Sequence, residues 1–250
     1  MALRIGLFQS VAKLFGYKIL PIHPKLHPDM DREFRNIYDQ CKHLTMTPIE
    51  RMYSLYESVK YVEKAGIPGD FVECGVWKGG SAMVIALALQ QLCSTNRKIF
   101  LYDTYTGMAQ PTQEDKLIYG NLKAINRWKK EKKRNYNTWC FSPLEEVKRN
   151  LFSTGYPREN LVFVKGRVEN TIPLNIPQNI ALLRLDTDWY QSTLHELKYL
   201  FPILEKKGVL IIDDYGHWEG ARKAVDEYLM NKGVNILLNR IDYGCRVAIK

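Results

Sequence analysis

Apolar residues along this chain fall into two periodicities. Short, nearly unbroken apolar runs occur at Phe71–Cys74, Lys98–Tyr102, Leu161–Lys165, Ile180–Leu185 and Val209–Ile212, each bounded by glycine or polar residues. Runs of this length predict strands buried on both faces of a parallel sheet. Between them the apolar spacing turns helical. Met52, Leu55, Tyr56, Val59 and Val62 share one face of Ile49–Lys64, where Thr47 is the expected N-cap and Pro48 the first helical residue. Further helices are predicted from Ser81 through Leu92, over Leu144–Leu151, from Ser192 through Leu204, and over Ala221–Met230. Val234–Leu238 and Gly244–Ile249 read as a closing hairpin-like pair, strands six and seven. This alternation predicts an α/β fold with a doubly wound, Rossmann-like sheet of seven mostly parallel strands and helices on both faces.

Two stretches stand apart from that pattern. Residues 1–45 are polar and dotted with Pro21, Pro24 and Pro28, so they read as an extension that wraps a domain running from 46 to 250. Within them, Leu3, Ile5, Leu7, Phe8, Val11, Leu14 and Phe15 mark one side of a basic amphipathic helix. From Thr104 to Asn160 no strand-like run appears, and a connection of that length beyond a strand end predicts a lid.

The chemistry gathers at strand ends. The fourth run ends in Asp186 and Asp188, the fifth in Asp213 and Asp214. In parallel sheets ligands collect beyond the carboxyl ends of the strands, so four carboxylates are expected at one rim. Like charges repel strongly there unless a cation or bound protons intervene. A hard divalent ion with oxygen ligands is the economical answer. Helix capping is the plainer use of any one of these aspartates; two strand ends of the same kind favour a metal site. The first run leads into Glu73-x-Gly75-x-x-x-Gly79-Gly80-Ser81, a glycine turn before a helix whose first N–H groups suit an anionic group. The second run ends in Asp103, where nucleoside-binding sheets hold ribose hydroxyls. Together these predict a nucleoside-cofactor site.

Composition narrows the picture only in places. The 250 residues suit one large domain, and no run is long enough to span a bilayer. Five cysteines without CxxC spacing indicate neither a zinc site nor a disulfide framework, and fit a reducing, cytoplasmic setting. The net charge is +9, part of it in Arg127–Arg134, RWKKEKKR. Such a run beside Trp128 suits phosphates of a nucleic acid or an anionic substrate, but no RNA-binding module accompanies it.

The strings IPGDFVECGVWKGGS, YDTYTGM, SPLEEVKRNL with TGYP, LLRLDTDWYQST, and IIDDYG with GARKAVDEYL resemble the macrocin O-methyltransferase (TylF/MycF type) family, from about Met46 to the C-terminus. The resemblance implies a class I methyltransferase fold, S-adenosylmethionine, Mg2+ or a similar cation, and methylation of a sugar or phenolic hydroxyl. It places Glu73, Gly75, Gly79, Gly80 and Ser81 beneath the methionine part of the cofactor, with Met46 and Thr47 at its amino-acid end. Asp103, with Thr104 nearby, would take the ribose; Val168 and Glu169 would lie near the adenine. Asp186, Asp213 and Asp214 would bind the metal, and Asp186 would accept the proton of the attacking hydroxyl. A homo-oligomer is also implied. An RNA methyltransferase and a catalytically silent cofactor-binding protein are the competing readings. The first lacks an aromatic base-stacking motif, and the second has no use for so unfavourable an acidic rim. His195 reads as structural, His217 as an acceptor contact or alternate base near the rim, and Trp189 and Tyr190 as helix-start packing.

Overall fold

The computed structural model describes residues 12–16, 29–120 and 122–250. Seven strands form one sheet in the order β3-β2-β1-β4-β5-β7-β6. They are β1 (Asp70–Cys74), β2 (Ile99–Asp103), β3 (Leu161–Lys165), β4 (Ile180–Leu185), β5 (Leu204–Ile212), β6 (Asn239–Arg240) and β7 (Arg246–Ile249). β1 to β5 pair in parallel, whereas β7 runs antiparallel to β5 and to β6. The chain leaves β1 toward β2 and β3 on one side and later fills β4 and β5 on the other. The carboxyl ends of β1 and β4 therefore flank the switch point where a crevice opens.

Strand residues alternate between two apolar layers because successive side chains point to opposite faces. Phe71, Leu101, Leu182 and Ile211 pack under α1 (Arg32–Cys41), α2 (Ile49–Lys64) and α3 (Gly80–Gln91). Val72, Tyr102, Leu183, Leu185 and Ile212 pack on the other side, with α7 (Tyr190–Leu200) and α8 (Glu219–Lys232). The shorter helices are α4 (Ala124–Glu131), α5 (Leu144–Phe152) and α6 (Val168–Thr171).

Several expectations need correction. Val234–Leu238 is not a strand; the sixth strand is the two-residue β6 that follows it. Val234, Ile236 and Leu238 instead pack their side chains against the lower core layer, which explains the strand-like apolar spacing. Leu204 opens β5 rather than ending a helix, because Pro202 sits in a single 3-10 turn that closes α7. The segment before residue 45 is not a poor core throughout. Asp31 caps α1 through the Phe34 N–H (2.7 Å), and Phe34, Ile37 and Cys41 are buried in the upper layer. Most of the predicted amphipathic helix lies outside the described residues; of its apolar positions, Leu14 and Phe15 are described and exposed. Among the described residues no helix is long and apolar enough to cross a membrane.

Candidate active site

The glycine turn after β1 is built by close backbone approach. Gly75 has φ +86°, and a Cβ there would lie 2.0 Å from the Asp186 carbonyl oxygen at the end of β4. Gly80 N–H donates to the Leu44 carbonyl (3.0 Å), which brings residues 44–47 over the start of α3. That N–H is thus already used within the fold. Asp103 closes the turn from β2: its Oδ2 accepts from the N–H groups of Val76 (2.8 Å) and Trp77 (3.0 Å), and its Oδ1 from Tyr105 (2.7 Å). Burial raises the Asp103 carboxyl, and these N–H donors oppose the shift.

On the upper face of the sheet, one row of charged side chains runs through the core. Glu73 of β1 and Arg184 of β4 are register partners, and neither is exposed to more than 1%. Arg184 Nη1 bonds Glu73 and Asp186 (2.8 Å), while its Nη2 reaches Asp213 Oδ1 (2.8 Å) and Thr47 Oγ1 (3.3 Å). Ser81 donates its hydroxyl to Glu73. Arg51 of α2 adds a second cation, joining Asp213 Oδ2 (2.6 Å) to Asp242 in the β6–β7 turn (2.7 Å). Thr47 therefore does not cap α2, whose preceding residue is Pro48 with no side-chain cap; its hydroxyl serves the Arg184 guanidinium instead.

These two arginines hold the floor acids, and the sequence pattern hid both. A charged residue inside an apolar run on a doubly buried strand is a signal, since burying it requires a partner. Glu73 in DFVEC and Arg184 in ALLRLD carry that signal at positions that proved adjacent. The rim thus has internal counter-charge, which the reading of four lone carboxylates omitted.

One carboxylate oxygen from each of Asp186, Asp213 and Asp214 lies within 4.8 Å of the others. Burial raises the Asp186 and Asp214 carboxyls well above the usual range. Arg184 opposes that shift at Asp186, and neighbouring acids reinforce it at both. Asp214 Oδ2 is buried without a hydrogen-bond partner. Oxygen donors, mutual repulsion and an orphaned oxygen together fit a hard divalent cation. Asp188, also raised by burial, accepts the Trp218 Nε1 hydrogen (2.6 Å). None of the four aspartates caps a helix: α7 and α8 follow Trp189 and Trp218, without side-chain caps.

The turn, the acids and the lid enclose one cavity of about 480 Å³. Met46, Thr47, Gly75, Gly80 and Ser81 line it on one side, and Asp103, Thr104, Val168 and Glu169 continue the wall. Asp186, Asp213 and Asp214 form its floor together with Asp188. Of the residues expected at the site, Glu73 and Gly79 do not reach the cavity. Glu73 lies beneath it in the ionic row; Gly79 (φ +89°) starts α3, where a Cβ would strike Leu151.

The lid segment holds α4 and α5 and is tied down at several points. Asp115 accepts the Tyr190 N–H at the start of α7 (2.8 Å), and Glu219 N–H donates to the Lys116 carbonyl (2.8 Å). Trp139 of the lid packs against Trp189 and Trp218, and Trp189 Nε1 donates to the Ala109 carbonyl (2.9 Å). Trp189 is buried, as expected for packing. His195 bonds the Ile172 carbonyl (2.9 Å), a structural contact within the lower layer. His217 lines the cavity mouth beside Tyr243.

Residues 27–248 match the macrocin-O-methyltransferase (TylF) family. The chain is 30% identical over 244 residues to 8-demethyl-8-(2,3-dimethoxy-alpha-L-rhamnosyl)-tetracenomycin-C 4'-O-methyltransferase of Streptomyces olivaceus, covering 96% of this chain and 89% of that one. It is 29% identical over 213 residues to mycinamicin III 3''-O-methyltransferase of Micromonospora griseorubida, covering 84% and 80%. Among solved structures, the O-methyltransferase NovP superposes with a TM-score of 0.73 at 27% identity, over 90% of each chain.

Proposed function

Because this chain belongs to the macrocin-O-methyltransferase family, and is an S-adenosylmethionine-dependent O-methyltransferase, we propose that it methylates one of two neighbouring hydroxyls of a sugar, with a divalent cation such as Mg2+ on Asp186, Asp213 and Asp214. The observation that carries this reading is the meeting of three carboxylate oxygens, within 4.8 Å, on the floor of the cavity whose wall holds Asp103 and the glycine turn. The sugar acceptor is supported by relatives whose names specify 4'- and 3''-O-methylation. A phenolic acceptor is the alternative for the same site.

Methyl transfer from a sulfonium is an in-line displacement, so an oxygen must be delivered to the methyl carbon and relieved of its proton. A divalent cation held by the three aspartates would supply the acidity that a sugar hydroxyl lacks at neutral pH. The chain's own residues do the remaining work. Residues 44–47, Gly75 and Asp103 would grip the two ends of the cofactor and orient it. The Trp139 face of the lid would exclude water above the acceptor. Asp186 would accept the proton as a carboxylate already at the cation. A specific observation favours its neighbour for that step: Asp188 lines the same floor and, among the described residues, meets no arginine and is held at one oxygen, by Trp218.

The test is calorimetry and turnover on two variants with a panel of glycosides and phenols. Asp186→Asn is expected to abolish turnover and weaken Mg2+ binding, with S-adenosylmethionine binding largely retained. Asp188→Asn is expected to keep Mg2+ binding and lower kcat by about 10²- to 10⁴-fold. Normal turnover in Asp188→Asn would return the proton to Asp186, and normal turnover in Asp186→Asn would end the metal-centred account. Assembly into a homo-oligomer and a reducing cytoplasmic setting, which the five unpaired cysteines suit, complete the proposal. Light scattering tests the first.

A further inference from the structure

The floor of the cavity and the outer surface of the lid carry opposite charge, and Arg127 is the lid cation that lines the cavity. The floor is acidic, with Asp186, Asp188, Asp213 and Asp214. On the lid, residues 116–136 hold eight basic residues and one acid, a net +7 in a chain of net +9. Outside this run several surface cations sit on acids: Lys42 with Asp39, Lys60 with Asp31 and Glu57, Lys148 with Glu145, Lys223 with Glu114. Of the eight on the lid, Arg127 alone has an ion pair among the described residues, with Glu131 (2.9 Å).

Arg127 also joins the charged face to the cavity, which it lines together with Leu122. Its guanidinium lies over the Trp139 ring at 4.2 Å, and Nε is held by Glu131. The terminal nitrogens have no hydrogen-bond partner among the described residues and form a pre-oriented fork for an anion. Lys123 and Lys130 stand one turn either side on the same helical face. Together the three cations span about 10 Å along the axis.

With the floor acids committed to the cation and to Arg184 and Arg51, an anionic group of the acceptor falls to the lid cations. We propose that the acceptor is a glycosyl diphosphate, with its sugar hydroxyls at the floor and its diphosphate on Lys123, Arg127 and Lys130. This rests on the sugar-acceptor reading above. A polyanion such as RNA fits less well. Its bases need open aromatic faces for stacking. Trp139 is buried under Arg127 and Trp128 is covered by Lys132, and the exposed aromatics of the run, Tyr119 and Tyr136, stand outside the cavity lining where stacked bases would have to meet the floor.

Two arms test the proposal separately from the reading beneath it. In the binding arm, a sugar nucleotide and a short polyprenyl diphosphate sugar are titrated by calorimetry against enzyme loaded with S-adenosylhomocysteine in EDTA. The expected result is binding that weakens with salt and falls by at least about tenfold in the Lys123→Gln/Arg127→Gln/Lys130→Gln variant. S-adenosylhomocysteine affinity reports that the variant is folded. Equal affinity in the variant, or tighter binding of a single-stranded RNA than of either diphosphate, overturns the proposal. The preferred diphosphate identifies the nucleotide or the lipid as the carrier. In the turnover arm, the same sugar is offered as a diphosphate and as its methyl glycoside. A kcat/KM at least about tenfold higher for the diphosphate supports the proposal, and parity overturns it. Absence of methylation on every sugar, with diphosphate binding intact, counts against the sugar-acceptor reading alone.

Discussion

Replacing Arg184 by methionine would leave Glu73, Asp186 and Asp213 crowded together with their shared cation gone. Removing one partner of a buried ionic group costs about 3–5 kcal/mol, so the variant should show a markedly lower denaturation midpoint. It should also lose the fixed spacing of the acidic floor, read as weaker Mg2+ binding in whatever protein remains folded. An unchanged midpoint would mean that the acids relax apart at no cost. How much of the site was legible also shows first at this scale. Asp103, Asp186, Asp213 and Asp214 stand at strand ends, where parallel sheets expose side chains to ligands, and local pattern was enough to find them. Arg51 was invisible because nothing in a helix sequence reports a partner 162 residues away. Arg184 was discounted because a single polar letter does not break an apolar run.

Helix α8 and the lid meet at Trp218 and again at the Lys223–Glu114 ion pair. Trp218 packs on Trp139 of the lid and donates its indole N–H to Asp188, while the next residue's N–H holds the Lys116 carbonyl. Trp218→Phe keeps the ring and deletes the donor. It should lower kcat more than it raises KM and move the acid limb of the pH–rate profile upward, because a hydrogen bond that favours the charged form of Asp188 is lost. A change in KM alone would instead assign Trp218 to packing. The strands themselves are legible where both faces are covered, as in β1, β2, β4 and the Val209–Ile212 half of β5, whereas the first half of β5, with Lys206 and Lys207 exposed, is not. Thr47 was misread for the opposite reason: local capping rules favoured it, and a buried guanidinium outbid them. The sixth strand was misplaced because Val234, Ile236 and Leu238 are apolar for packing from a loop.

Among the described residues, burial raises Glu73, Asp103, Asp186, Asp188, Asp214 and Glu196 above their unfolded values. A raised folded pKa means that the native state binds more protons than the unfolded one in the interval between the two values. Without metal, their contribution to stability is therefore complete below the usual carboxylate range and fades as pH rises through the raised values. The midpoint of metal-free protein should fall across that interval, with Asp242, shifted the other way, taking over only at the acid end. Saturating Mg2+ should reverse the slope, since cation binding replaces protons on Asp186 and Asp214. Thermal melts with and without EDTA at several pH values measure both, and parallel curves would argue against a cation at the rim.

The clasp between Arg51 and Asp242 has a bearing on synthesis. Arg51 leaves the ribosome long before its second acidic partner, which belongs to the turn before β7, as does the Gly244 carbonyl that takes the Gly216 N–H. A nascent chain with that turn still in the exit tunnel can stack its parallel strands, but Arg51 is then anchored by Asp213 alone. The acidic floor reaches its final shape only once that turn has folded, so a polypeptide that stops short of it should gain little protection from cation or cofactor.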